Sequence, residues 1–472
     1  MVLPVSEAQA LFDVLTKSAD PKAVDAISRL VRDGSDRDLC RVNVIAFAET
    51  HNIDTEASIA AFLHAARLGI FDLSWNMLCP GCGGVLDAGE TLKSFDRNEY
   101  HCSLCSAGYE PTLDEMVEVT FTVNPRVRRI AAHSADTLPY IEYCRQVFWG
   151  SGVDLPEALS ETFDTFTMEA LELPPREKAL VSIQLPAEFI IVFDPVTHGT
   201  HFIDVQGEPT KERQELTLVL NNVKAPTGTT KMRPGPLRVT FENRTDRRAL
   251  PGIWRANDAL HHTLGHRRPF LTAKRLLTNQ TFRDIYRTDT LDVDQKLKIT
   301  SLVFMFTDLK GSTALYERVG DLVAYDLVRQ HFRVLNQIVA TEAGAVVKTI
   351  GDAVMATFPT ADRAVAAALK MRTAMAAING QNGNEDLLLK IGIHEGPCLA
   401  VTLNDRQDYF GQTVNMAARV QSLASSFSIY ASAPVVEDVK ASHILQEAGL
   451  QPVQQRASLR GITEQMLVYE IP

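Results

Sequence analysis

The sequence predicts an α+β chain of several domains, and three observations carry that prediction. A four-cysteine ribbon spacing follows a helical N-terminal stretch, alternating apolar and polar residues fill the middle, and the C-terminal part runs β-α-β-β-α-β. At 472 residues the chain has room for two to four domains with real cores. A hydrophobic content of 45% and a charged content of 22% are those of a soluble globular protein. The 47 Lys and Arg against 58 Asp and Glu leave a formal net charge of −11, which argues against a chain that lives on nucleic acid or anionic lipid. The densest apolar run, residues 188–194, is strand-length and far short of the roughly 18 residues of a membrane span. The N-terminus lacks the basic region and apolar core of a signal peptide, so a cytoplasmic protein without membrane contact is expected.

Residues 1–75 read as helical. Periodic segments over 42–50 and 55–68 are joined by His51-Asn52-Ile53-Asp54, with Asp54 or Thr55 as N-cap. Two helices, a short turn and the following Gly69-Ile70-Phe71 look somewhat like a winged helix-turn-helix. The second helix offers a single Arg, Arg67, where a major-groove reader needs several Arg, Lys, Asn or Gln. It therefore reads as a packing or partner-binding helix.

Residues 76–115 carry Cys79-Pro80-Gly81-Cys82 and Cys102-Ser103-Leu104-Cys105. The pattern C-x2-C-x19-C-x2-C is that of a four-thiolate zinc ribbon. Redox pairs or disulfides are the alternatives, and an intracellular chain argues against stable disulfides. Gly83 and Gly84 allow backbone amides close to the sulfurs. With no catalytic His or Glu in the motif, the expected Zn²⁺ site is closed and structural. Cys40, Cys144 and Cys398 are isolated and read as buried thiols.

Residues 116–268 read as a β-rich regulatory domain. Val117, Val119, Phe121 and Val123 alternate with Glu118, Thr120 and Thr122. A helical interval over 140–171 ends at Pro174-Pro175. Strands are expected over 179–185, 189–194, 201–205, 216–220 and 237–242, separated by turn signals such as Pro226-Thr227-Gly228. An antiparallel β-sandwich that senses an unknown ligand or protein is the assignment. His198, His201, His261, His262 and His266 match no metal-ligand spacing and read as solvated or core histidines. Residues 269–300 form a helical connector, helix-like over 271–286 with a shorter capped piece at 288–294.

Residues 301–472 hold the chemistry. An apolar strand over 301–306 runs out to Asp308, and Lys310-Gly311-Ser312-Thr313 leads into a helix. A carboxylate there either caps that helix or holds a divalent metal. A second carboxylate has a matching setting, because Gly351-Asp352 is a tight turn between apolar strands over 345–350 and 353–358. Two such aspartates suit Mg²⁺, which takes one or two carboxylates plus substrate phosphate oxygens. Between the strands, Leu322, Tyr325, Val328, Phe332, Leu335 and Ile338 mark one face of a long helix that Gly344 stops. A helix over 363–378 and strands over 387–393 and 398–401 complete a ferredoxin-like, palm-type order.

Three pieces in order, Phe306-Thr307-Asp308-Leu309-Lys310-Gly311-Ser312-Thr313, Lys348-Thr349-Ile350-Gly351-Asp352-Ala353 and Gly411-Gln412-Thr413-Val414-Asn415-Met416-Ala417-Ala418-Arg419, resemble the class III nucleotidyl (adenylate/guanylate) cyclases. The resemblance covers a little over a third of the chain. It implies that Asp308, Leu309 and Asp352 hold two Mg²⁺ or Mn²⁺ ions, and that the ATP ribose 3′-oxygen attacks the α-phosphorus and expels pyrophosphate. It implies that Lys348 and Asp408 read the base. A Lys donor with a carboxylate acceptor suits adenine, whereas guanylate-type members carry Glu and usually Cys or a small polar residue at these places. Asn415 is implied to orient the ribose, Arg419 to stabilise transition-state charge, and Arg460 to contact phosphates. Family members place the metal aspartates on one subunit and the remaining groups on its partner. A single catalytic domain that retains both sets is therefore expected to work as a head-to-tail homodimer. Adenylate cyclase is the expected activity. Guanylate cyclase, a catalytically silent nucleotide-binding module and a zinc-dependent regulator of DNA are the alternatives.

Overall fold

A computed structural model of the chain describes residues 5–221, 228–286, 291, 295–382, 387–403, 406–425, 427–458 and 465–472, and every structural statement below refers to these. The chain divides into two compact units. Residues 91–96 and 112–114 belong with 272–472, and the remainder up to Leu271 forms the other unit.

The first unit opens with α1 (Val5–Leu15), α2 (Pro21–Asp33), α3 (Val44–His51) and α4 (Thr55–Arg67). Asp20 caps α2 by accepting from the amides of Lys22 and Ala23, and Asp54 caps α4 by accepting from Ala57 N at 2.9 Å. Phe62 of α4 is fully buried, with the rings of Phe47, Phe71 and Phe121 at 5.0–5.2 Å. The strands β1 (Phe71–Leu78), β2 (Val85–Gly89), β3 (Tyr100–Cys102), β4 (Ala107–Tyr109) and β5 (Val117–Val123) follow. β5 pairs antiparallel with β1, and β3 with β4. The alternation along β5 suggests one wet face, yet Glu118 and Thr120 are fully buried. Their polar atoms are satisfied internally, since Glu118 accepts from Ser151 N and Oγ at 2.7 Å each and from Asn76 Nδ2 at 3.1 Å.

In place of the helical interval over 140–171 stand a short α5 (Tyr140–Tyr143) that runs into a π turn, α6 (Leu159–Asp164) and the strand β6 (Thr167–Ala170). Next come β7 (Lys178–Leu185), β8 (Phe189–Asp194), β9 (Gly199–Val205), β10 (Gln214–Leu220), β11 (Gly228–Met232), β12 (Gly235–Asn243), β13 (Gly252–Arg255) and α7 (Asp258–Gly265). They form two sheets, β10-β12-β7 and β11-β9-β8-β13-β6. Leu185, Leu237, Val239 and Phe241 of the first share one apolar core with Ile190, Val192, Ile203 and Ile253 of the second. The pairing is mixed rather than antiparallel throughout, because β10 runs parallel to β12 and β11 parallel to β9.

The second unit begins with α8 (Ala273–Leu277) and α9 (Gln280–Ile285), so the expected single connector helix is broken. Thr278 Oγ1 turns back on the carbonyls of Lys274 and Arg275, and Asn279 caps α9 by accepting from Phe282 N at 3.0 Å. The rest is β14 (Leu297–Leu309), α10 (Ser312–Val319), α11 (Asp321–Thr341), β15 (Ala345–Ile350), β16 (Ala353–Phe358), α12 (Ala361–Asn382), β17 (Leu389–Leu403), β18 (Arg406–Phe410), α13 (Gln412–Ser422), β19 (Ile429–Ser432), α14 (Ala433–Val436), α15 (Val439–Glu447), β20 (Val453–Ala457) and β21 (Met466–Ile471). The sheet order is β15-β16-β14-β17-β19-β21-β20, with β18 on β17. The two strands expected over 387–401 are one long strand. Pro397 is tolerated there because the β14 register shifts between Ile299 and Leu302, opposite it. Ala343, rather than Gly344, takes the left-handed position after α11. Gly344 answers to packing instead, since a Cβ there would lie 2.6 Å from the Phe358 ring.

Candidate functional site

Asp308 and Asp352 reach the same end of the sheet by different routes. Val303, Met305 and Leu309 of β14 enter the apolar core shared with α11 and α12, so Asp308 falls on the other face. It is half-buried, and Lys390 Nζ lies 3.5 Å from its Oδ2. Gly351 and Asp352 form the two-residue turn between β15 and β16, with Gly351 at a φ of +64° that suits glycine. The ladder sets Thr307 opposite Val354, which brings Asp308 and Asp352 to one end of adjacent strands.

Asp352 Oδ2 is buried and has no hydrogen-bond partner. A buried carboxylate oxygen with nothing to accept is costly, and a hard divalent cation satisfies it. The donor set therefore fits Mg²⁺ or Mn²⁺. Leu309 is 2% exposed in the core, so only its backbone carbonyl is available as a ligand.

Lys348 on β15 and Asp408 on β18 meet directly, Nζ to Oδ2 at 2.5 Å. The Asp408 side chain is 10% exposed and that of Lys348 43%, so a flexible cation covers a nearly buried carboxylate. Asp408 Oδ1 also accepts from Tyr409 N at 2.8 Å, which fixes its orientation.

Asn415 and Arg419 stand one turn apart on α13, Asn415 exposed and Arg419 half-buried. Two glycines seat this helix on β17. A Cβ on Gly392 would lie 2.1 Å from Gln421 N, and one on Gly396 2.9 Å from Thr413 Oγ1. Among the described residues no hydrogen bond joins Asn415 or Arg419 to Asp308, Leu309, Asp352, Lys348 or Asp408. Arg460 lies outside the described residues. Gly392, Gly396 and, on α9, Arg283 escape the sequence reading, since only their tertiary neighbours reveal them.

In the first unit, Cys79, Cys82, Cys102 and Cys105 converge with all four sulfurs within 4.8 Å of one another. Cys79 to Cys105 and Cys82 to Cys102 are 3.7 Å each. Tetrahedral zinc with sulfur bonds of about 2.3 Å requires sulfurs roughly 3.8 Å apart. Gly84 N points at Cys82 Sγ at 3.4 Å, and a Cβ on Gly81 would lie 3.0 Å from Cys105 Sγ. The neighbouring thiols of Cys102, then Cys105 and Cys82, hold the Cys79 thiol below its ordinary value. Cys144 and Cys398 are buried as expected, whereas Cys40 is only half-buried, and burial pushes the Cys398 thiol up to about 12.

Residues 295–471 match the family described as Adenylate and Guanylate cyclase catalytic domain. Residues 5–284 match the one described as Family of unknown function (DUF5939). The adenylate cyclase of Mycosarcoma maydis is 29% identical over 170 residues, which is 32% of this chain and 7% of that protein. Adenylate cyclase 2 of Rhizobium meliloti is 31% identical over 138 residues, 27% of this chain and 38% of that protein. The chain thus spans well under half the length of these relatives. The crystal structure of the adenylyl cyclase CyaB from P. aeruginosa is 21% identical, with a TM-score of 0.33 over 38% of this chain and 96% of that one. The chain belongs to the family of unknown function DUF5939 and carries a class III adenylate and guanylate cyclase catalytic domain at its C-terminal end.

Proposed function

We propose that the chain is an adenylate cyclase that converts ATP to 3′,5′-cyclic AMP and pyrophosphate. The observation that carries this reading is the Lys348–Asp408 pair. Adenine offers an acceptor at N1 and a donor at N6, and guanine reverses both. A lysine donor beside a carboxylate acceptor therefore complements adenine and opposes guanine. The relatives named adenylate cyclases support the same choice.

Asp308 and Asp352, with the backbone carbonyl of Leu309, hold the divalent cations. When bound, these acidify the ribose hydroxyl and neutralise triphosphate charge. Lys348 donates to the adenine ring nitrogen while Asp408 accepts from the exocyclic amine. Asn415 orients the ribose, and Arg419 places positive charge where it develops in the transition state. Arg460 contacts the phosphates.

One chain bears both half-sets, so the working form is a homodimer with two equivalent sites. Exposed Leu322, Val323, Tyr325, Ile350 and Phe410 supply apolar surface for such a contact. The four cysteines hold a structural Zn²⁺ as in a ribbon. The two sheets of residues 167–255 serve as a sandwich-type regulatory domain for a ligand or protein partner. Cys40, Cys144 and Cys398, outside the zinc cluster, remain thiols in the reducing compartment assigned to the chain, the cytoplasm. No helix among the described residues is long and apolar enough to cross a membrane. Incubation of the pure chain with ATP or GTP and Mg²⁺ or Mn²⁺ tests the reading, with cyclic AMP as the expected product. Cyclic GMP as the preferred product would overturn it.

A further inference from the structure

β15 carries a bulge. Its ladder with β16 passes from Val346 opposite Ala356 to Lys348 opposite Met355, which leaves Val347 with no residue across from it. Backbone groups freed by a bulge need other partners, and α9 supplies them. Gln280 Oε1 accepts from Val346 N at 2.8 Å. Arg283 Nη2 donates to Val347 O at 3.4 Å and to Gln407 O at 2.9 Å. One guanidinium therefore bridges the residue before Lys348 and the residue before Asp408.

The neighbouring contacts hold that bridge in place. Tyr409 Oη accepts from Gln407 Nε2 at 3.1 Å and donates to Leu277 O at 3.3 Å, which ties α8 to the strand that bears Asp408. Phe282 is buried and stacks on Tyr286 with ring centroids 5.2 Å apart. Arg283 Nη1 is buried without a hydrogen-bond partner, so the guanidinium is not fully satisfied where it stands. A cleft of about 190 Å³ beside it leaves α9 space to shift.

We propose that Arg283, aided by Gln280, is a positioning residue for base recognition, through which the connector helix α9 sets the spacing of Lys348 and Asp408. Displacement of α9 then alters which purine is accepted and how tightly, and leaves the metal-binding end of the sheet alone. The proposal rests on the adenine-reading role given to that pair. A purely structural Arg283 would instead lower turnover of both nucleotides together.

The test uses the full chain and the variants Arg283→Ala, Gln280→Ala and Arg283→Lys. For Arg283→Ala the KM for ATP rises about 10-fold with kcat within about 2-fold, and the preference for ATP over GTP falls by a similar factor. Arg283→Lys keeps a donor and recovers part of the preference. An unchanged KM, or equal losses for both nucleotides, overturns the proposal. Hydrogen exchange gives a readout free of turnover. Amides of 346–348 and 407–409 exchange faster in Arg283→Ala while those of 303–307 do not, and unchanged exchange in both segments overturns the bridge. A wild-type chain that forms no cyclic nucleotide contradicts the cyclase reading, and the exchange result then decides the bridge by itself.

Discussion

Lys348 Nζ and Asp408 Oδ2, on residues 60 apart in the chain, form an ion pair at 2.5 Å. Lys348 is the exposed, movable partner and Asp408 the nearly buried, fixed one, as the proposed base-reading role requires. A double variant Lys348→Glu, Asp408→Cys reverses the hydrogen-bond pattern. Its kcat/KM for ATP falls by about 100-fold or more, because the remaining polar groups are then mismatched, and GTP gains relative to ATP. Steady-state kinetics with both nucleotides measure this. An unaltered ratio would remove the pair from base recognition.

Sharing of sites between chains gives a complementation test. Asp352→Ala and Asn415→Ala are each inactive alone. Mixed in equal amounts, half the dimers are mixed and each of those has one intact site, so about a quarter of wild-type turnover returns. Mixed dimers that form and remain silent would exclude shared sites.

The cysteine cluster makes a separate prediction. Purified chain contains about one zinc per molecule, and Cys79→Ser or Cys102→Ser loses it along with the cooperative unfolding of the first unit. Elemental analysis and thermal denaturation read both. Four thiols that titrate freely in a zinc-free, fully folded chain would contradict the assignment.

Buried histidine sets a pH dependence. His394 is 8% exposed and shares a 2.8 Å hydrogen bond with Ser432 Oγ, and burial pushes its imidazole down to about 4. The unfolded chain takes up a proton near pH 6.5 that the folded chain refuses until about pH 4. This contribution to stability is therefore complete above pH 6.5 and is lost as the pH falls toward 4, by on the order of 3 kcal/mol. Denaturant unfolding between pH 4 and 7 measures the slope. His394→Gln flattens it, and an unchanged slope would assign the effect elsewhere.

Much of the second unit was legible because its signals are local. The Gly351-Asp352 turn and the strand that leads to Asp308 each declare themselves within a dozen residues, whereas the expected face of α11 packs only from Val328 onward, since Leu322 and Tyr325 are 84% and 60% exposed. The break at Thr278 and Asn279 was not legible, since both side chains hydrogen-bond to their own backbone in ways the apolar period does not register. Burial of Glu118 depends on Asn76 and Ser151, distant in sequence, and the alternation along β5 points the other way. Parallel pairing of β10 with β12 leaves no trace in either strand alone. The role of Arg283 needs the bulge at Val347, which only the ladder with β16 exposes.

In the proposed cyclase, Asp308 and Asp352 together hold the catalytic cations. The direct measurement is Mn²⁺ affinity, read by the ion's paramagnetic signal in the presence of a non-cyclisable ATP analogue, alongside cyclic AMP production by Asp308→Asn and Asp352→Asn. Each variant is expected to lose tight Mn²⁺ binding and at least about 100-fold in turnover while its unfolding midpoint stays near that of the wild type. Undiminished turnover or unchanged Mn²⁺ affinity in either variant would contradict it.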